Sequence, residues 1–186
     1  MQQIALINTA DKKETKKSLN MEMDFTYIFE TYYKRVYNYI SYRVNSYHEA
    51  EDLTSQVFEK IMAKIDTYSE KKSPFEVWVF SIAKNVINDY FREIKKHNIF
   101  SIDSFKELAS SKKSPEDIVE TREINDELLK ALKILDAKEI NIIALKFGAN
   151  LKNTEIAEVL NLTESNIGVI LYRTLKKLRK ELGEGI

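Results

Sequence analysis

The chain has 186 residues, and its 29 basic and 29 acidic side chains give a formal net charge of zero, a balance that argues against a protein coating nucleic acid indiscriminately. It has no cysteine and two histidines, His48 and His97, which excludes disulfides, thiol catalysis and thiolate metal sites and leaves too few ligands for a zinc centre. Four glycines and two prolines favour helices, whose interiors tolerate neither well, and no stretch approaches the roughly 20 apolar residues of a membrane span.

Residues 1–22 read as an N-terminal extension, polar and lysine-rich after Ile4-Ala5-Leu6-Ile7. That apolar run is too short for a signal-peptide core and lacks a basic flank, so the expectation is a cytoplasmic protein with no membrane insertion. Seven helices are expected, over about 24–44, 47–65, 74–97, 115–135, 137–147, 153–160 and 164–182, because apolar residues recur at helical spacing in each. The first carries Phe25, Ile28, Phe29, Tyr32, Val36, Ile40 and Val44.

Their ends are marked by capping chemistry. Ser46 with Glu49 reads as a capping box, as does Asp136 with Glu139. Ser73-Pro74 and Ser114-Pro115 place proline at a first helical position, where no N–H is needed. Gly148 is expected to stop the fifth helix in a left-handed conformation, Thr163 to cap the last helix and Gly183 to end it.

Seventeen of the twenty aromatic residues lie between Phe25 and Phe100, which implies two modules with different packing. The expected fold class is all-α: two small helical domains, 23–97 and 115–186, joined by a linker over 98–114, the second domain a helix-turn-helix. The linker contains Ser110-Ser111-Lys112-Lys113-Ser114 and has no sustained periodicity.

In the first domain, the 74–97 helix carries more apolar residues than one core stripe needs. Its other face reads Ser81, Lys84, Asn85, Asn88, Arg92, Lys95 and Lys96, a composition suited to a nucleic-acid backbone. Most of its aromatics are core; Tyr68, Phe75 and Tyr90 at the edge are candidates for stacking unstacked bases. The 47–65 helix has an acidic polar face, Glu49, Glu51, Asp52 and Glu59. An acidic face beside a basic one fits protein on one side and DNA on the other.

In the second domain, Glu155-Ile156-Ala157-Glu158-Val159-Leu160 is a short amphipathic helix. Asn161-Leu162-Thr163 turns the chain, and asparagine tolerates the left-handed region. Ile156, Leu160, Leu162, Ile167, Leu171 and Leu175 are expected to form the shared core. The second helix of such a unit enters the major groove with its N-terminal residues at base edges. These are Glu164, Ser165, Asn166, Gly168 and Val169. Arg173, Lys176, Lys177, Arg179 and Lys180 follow; positions 173, 176, 177 and 180 share a face and can bind phosphate.

Three segments in this order resemble bacterial sigma factors of the small extracytoplasmic-function type. Ala50-Glu51-Asp52-Leu53-Thr54-Ser55-Gln56-Val57-Phe58 is similar to the segment that grips the clamp coiled coil of the polymerase largest subunit. Trp78 to Arg92 resembles the strand-melting, −10-reading helix, and Glu155 to Arg179 the −35-reading module that also docks on the flap of the second-largest subunit.

The resemblance implies core-polymerase contacts at Asp52, Leu53, Gln56, Val57 and Phe58. It implies −10 contacts at Tyr68, Lys84, Asn85, Asn88, Arg92, Lys95 and Lys96, and −35 contacts at Glu164, Ser165, Asn166, Gly168, Val169, Arg173, Lys176 and Lys177. The loop from Asp66 to Ser73 resembles one that pockets a flipped base, and such factors are often held inactive by an anti-sigma protein. Ser55-Gln56 departs from the common Gln-Glu, Ser81 replaces a usual basic residue, and Gly168 and Ile170 stand where many relatives carry Lys and Arg.

The resemblance therefore implies a promoter-recognition factor without cofactor, metal or catalysis of its own, acting through two lobes spaced along one DNA duplex. The alternative is a stand-alone helix-turn-helix regulator. No acid–base pair, nucleophile–histidine arrangement or phosphate loop favours an enzyme.

Overall fold

The computed structural model describes residues 25–44, 46–100, 132 and 134–183, with side chains described to residue 96 in the first lobe. The expected 115–135 helix falls almost wholly outside these residues. Among the described residues there is no strand.

The N-terminal lobe has three helices: α1 (25–41), α2 (Tyr47–Lys64) and α3 (Phe75–Phe100). The Ser46 hydroxyl accepts the Glu49 N–H at 3.3 Å, so the N-cap half of the expected capping box forms, while Glu49 turns toward Tyr90 of the third helix. Thr54 is wholly buried in α2, and its hydroxyl is satisfied by donating to the Ala50 carbonyl at 2.7 Å. A single 3-10 turn (Ile65–Thr67) leads from α2 into the loop before α3. Helix α3 continues through Asn98, Ile99 and Phe100, into the stretch read as linker.

The C-terminal lobe has α4 (Ala137–Ile143, extended by a π turn over Ala144–Gly148), α5 (Asn153–Leu160) and α6 (Glu164–Glu181). The capping box at its entrance is complete. Asp136 accepts the Lys138 and Glu139 N–H groups, and Glu139 accepts the Asp136 N–H at 3.0 Å. The Glu155 carboxylate closes α5 by accepting the Lys152 N–H at 2.8 Å.

Two expectations are corrected. Gly148 does not stop α4 in a left-handed conformation; the left-handed residue there is Asn150, with φ 56°. The chain instead leaves α4 through the π turn, in which the Ala149 N–H reaches the Ala144 carbonyl at 2.9 Å. Glycine is required at 148 for a different reason: a Cβ would stand 3.0 Å from the Tyr39 amide nitrogen and 3.1 Å from the Asn38 carbonyl. Leu175 is the second correction. It is 43% exposed, and Thr174 and Leu178 are the buried residues of that part of α6, because the helix rolls to place 167, 171, 174 and 178 inward.

The two lobes share one apolar core. Tyr39, Ile40 and Phe80 from the first and Leu145, Leu151 and Ile156 from the second are fully buried in a single cluster. Helix α3 packs on α5, and α1 lies against the end of α4. The sequence reading placed the lobes apart along a duplex; in the chain by itself they are packed together.

Candidate nucleic-acid interface

The helix-turn-helix is built by local chemistry. Asn161 takes the left-handed conformation at φ 54° and ends α5, and the Leu162 N–H returns to the Ala157 carbonyl at 2.8 Å. The Thr163 hydroxyl then accepts the Asn166 N–H at 3.2 Å, starting α6. Ile156, Ala157 and Val159 on α5 meet Ile167 and Leu171 on α6.

This packing leaves the N-terminal face of α6 open. Glu164, Ser165, Asn166, Val169 and Arg173 are exposed, and Gly168 is half-buried. Tyr172, which sequence reasoning passed over, is 70% exposed and sits one turn beyond Val169. Its signal was present: an aromatic at i+3 from a groove-facing position, outside the core stripe. Lys176 is also exposed. Lys177 is not a free cation: its ammonium donates to the Glu139 carboxylate at 2.5 Å, tying α6 to α4.

In the N-terminal lobe, α3 presents Asn85, Asn88, Arg92, Lys95 and Lys96 to solvent. Arg92 is tethered to Asp89 at 3.0 Å. At the start of α3, Tyr68, Phe75 and Trp78 form an aromatic triad, with ring centroids 5.0–5.4 Å apart, each ring half-buried. The Tyr68 hydroxyl donates to the Ser73 carbonyl at 3.2 Å across the loop. Tyr90, at the far edge, is engaged with Glu49 of α2; burial and that carboxylate hold its hydroxyl well above the usual phenol range.

Helix α2 exposes Asp52 and Gln56 and buries Leu53, Val57 and Phe58. The buried three belong to the core and the other two face solvent. Gln56, Lys60, Asp89, Arg92 and Lys96 line a groove of about 270 Å³ between α2 and α3.

The face of α3 nearest α5 is covered. Lys84 donates through Nζ to the Val159 carbonyl at 2.6 Å. Alongside, Arg35 donates through Nε to the Ala149 carbonyl at 2.8 Å, and the Tyr39 hydroxyl and Arg43 both donate to the Asn141 side-chain oxygen. Burial lifts the Tyr39 hydroxyl to about 12. No sequence pattern flagged Arg35, Tyr39 or Arg43, because their partners lie about a hundred residues further along the chain.

No group of three or more His, Cys, Asp or Glu that could hold a metal ion occurs among the described residues, and no helix there is long and apolar enough to cross a membrane.

A two-lobed helical chain with a helix-turn-helix in its second lobe and a basic, aromatic-tipped helix in its first is a DNA-binding architecture. The family described as Sigma-70 region 2 matches residues 28–97, and Sigma-70, region 4 matches residues 131–180. The chain belongs to the sigma-70-type sigma factors, in their extracytoplasmic-function (ECF) branch.

The ECF RNA polymerase sigma factor BldN of Streptomyces coelicolor is 30% identical over 158 residues, 85% of this chain and 60% of that protein's length. The ECF sigma factor SigX of Bacillus subtilis is 26% identical over 166 residues, 87% of this chain and 85% of SigX. The sigma factor RpoE of Bartonella quintana, solved in complex with the anti-sigma factor NepR, shares the fold: TM-score 0.69, 19% identity, 86% of this chain and 96% of that one.

Proposed function

We propose that this chain binds RNA polymerase core and directs it to promoters, reading a −35 element as duplex through α6 and capturing −10 bases through the N-terminal lobe. The observation that carries the reading is the arrangement of three unlike faces in one chain. These are the open N-terminal face of α6, the aromatic triad at the head of a basic α3, and the exposed Asp52 and Gln56 of α2.

Asn166 is placed to read a base edge, and Arg173 and Lys176 to hold phosphate. Lys177 contributes through Glu139, by fixing α6 on α4. Tyr68 and Trp78 are the platform for a base leaving the stack. Extrusion costs a few kcal/mol, which stacking in a shaped site offsets. Asn85, Asn88, Lys95 and Lys96 follow the strand. Asp52 and Gln56 meet the polymerase clamp, and the C-terminal lobe its flap. The chain acts as a subunit that positions DNA for an enzyme, in the cytoplasm. An anti-sigma protein is a further partner, as NepR is for the RpoE of Bartonella quintana.

The test is run-off transcription with purified core polymerase on a promoter library. The expected result is starts preceded by two spaced elements, dependent on the chain. Tight sequence-specific binding by the chain alone, with no transcription when core is added, would favour a stand-alone regulator instead.

A further inference from the structure

Among the described residues, the hydrogen bonds between the lobes run in one direction. Every donor belongs to the N-terminal lobe: Arg35, Tyr39, Arg43 and Lys84. Every acceptor is a neutral oxygen of the C-terminal lobe: the Ala149 and Val159 carbonyls and the Asn141 amide. Three of the four donors are cations.

Arg35 lies over the rings of Tyr32 and Phe80 at 5.2 and 5.4 Å, and Arg43 over Phe91 at 5.5 Å. Aromatic faces and neutral carbonyls offset part of the cost of covering these charges, but a phosphate oxygen is a stronger, charge-assisted acceptor for each of them. Arginine over an aromatic is also how single-stranded nucleic acid is commonly held.

The covering is asymmetric. The reading face of α6 remains exposed, while Lys84, a member of the basic face of α3, is occupied by the lobe that carries α6.

We propose that the face of the N-terminal lobe covered by the C-terminal lobe is a nucleic-acid backbone site made by Arg35, Arg43 and Lys84, so that lobe packing and promoter DNA compete for the same cations. This rests on the promoter-recognition reading and adds to it. Arg35 and Arg43 join the DNA-binding set, and in the packed chain these two and Lys84 are covered while the rest of the basic face of α3 stays open. Opening exposes Arg43 and Lys84, whose partners across the seam are neutral, and Arg35, which also keeps Glu76 of its own lobe at 4.0 Å; the separation of lobes that two promoter elements require delivers them to the phosphates.

Two substitutions that leave the proposed cations intact open the lobes by different means. Gly148→Leu wedges a side chain against the α1 backbone, which a Cβ alone already meets at 3.0–3.1 Å. Asn141→Arg sets a cation against Arg43 at the half-buried edge of α4, and serves if the wedge prevents folding. The full chain, checked by circular dichroism, is measured for radius of gyration by solution scattering. Its binding to a fluorescein-labelled DNA duplex with a single-stranded overhang is followed by anisotropy, without core polymerase.

Both variants are expected to expand. They are expected to bind the probe about fivefold more tightly at low salt, with a salt slope steeper by about two to three, since each phosphate contact adds close to one. Adding Arg35→Gln and Arg43→Gln to either opened variant should cut the gain in slope to the roughly one unit or less that Lys84 supplies. Expansion with unchanged DNA binding overturns the proposal, as does a chain that stays compact with both substitutions. A gain in affinity for core polymerase in place of DNA reassigns the face to protein and overturns it equally. Absence of promoter-directed transcription by the unsubstituted chain with core would instead sink the function reading, so the two failures are separable.

Discussion

The Lys177 ammonium and the Glu139 carboxylate meet at 2.5 Å between α6 and α4. Glu139 also accepts the Asp136 N–H that begins α4. One carboxylate thus caps the start of α4 and anchors α6.

Glu139→Ala removes both contacts. It should destabilise the chain by about 2 kcal/mol, the sum of a lost cap and a half-exposed ion pair, measured by urea unfolding. Lys177→Ala should cost less stability and leave the salt slope of −35 duplex binding unchanged. Lys176→Ala should reduce that slope by about one with little effect on stability. A slope loss on Lys177→Ala would show that this lysine reaches phosphate after all.

Tyr39 carries the pH dependence of the lobe contact. Its hydroxyl is raised from 10.0 to about 12 by burial. The protonated form is thus favoured in the folded chain, and its stabilisation is complete below pH 10 and is lost as pH rises from 10 through 12. The wild-type chain should therefore lose about 2 kcal/mol relative to Tyr39→Phe across that window. Comparing urea midpoints of the two chains from pH 9 to 12 reads the difference directly, since other titrations cancel. At neutral pH, Tyr39→Phe should cost about 1 kcal/mol for the bond to Asn141.

Asn161 holds the turn of the helix-turn-helix at φ 54°. Asn161→Gly should be near neutral, while Asn161→Val should cost about 1–2 kcal/mol, because a β-branched residue is strained there. Circular dichroism melts give the stability, and anisotropy on −35 duplex gives the accompanying loss of binding. Equal behaviour of the two variants would mean that the turn relaxes to another conformation.

At the other end of the promoter, Tyr68→Ala should weaken capture of a forked DNA carrying unpaired −10 bases by about tenfold in holoenzyme, within the range for one lost stacking partner. Binding to −35 duplex should be unaffected. Asn166→Ala should show the reverse, a loss of about 1–3 kcal/mol confined to one base position of the −35 element. Measuring both variants on both probes separates the two lobes' contributions.

Much of the architecture was legible from local chemistry. Asp136 with Glu139, Thr163 and Asn161 mark helix ends through bonds that span only a few residues. The exposed face of α6 follows from which positions carry Ile167 and Leu171. Leu175 was misplaced for the same reason that others were placed well. Periodicity names a stripe, but the neighbouring helices decide where the stripe ends, and here Thr174 takes the inward position.

What the sequence by itself determined, among the described residues, is the six helices, the caps at Asp136 and Thr163, and the helix-turn-helix with its turn at Asn161. These depend on contacts within a turn or two, so residue type and spacing are sufficient. Only the tertiary structure decided that the lobes pack on each other, that Gly148 serves close approach and not a helix stop, and that Arg35, Tyr39, Arg43 and Lys84 spend their donors across that seam. Those partners are separated by 75 to 114 residues of chain. At that distance pairing is set by shape and by the burial of a shared core, and no short-range pattern encodes it.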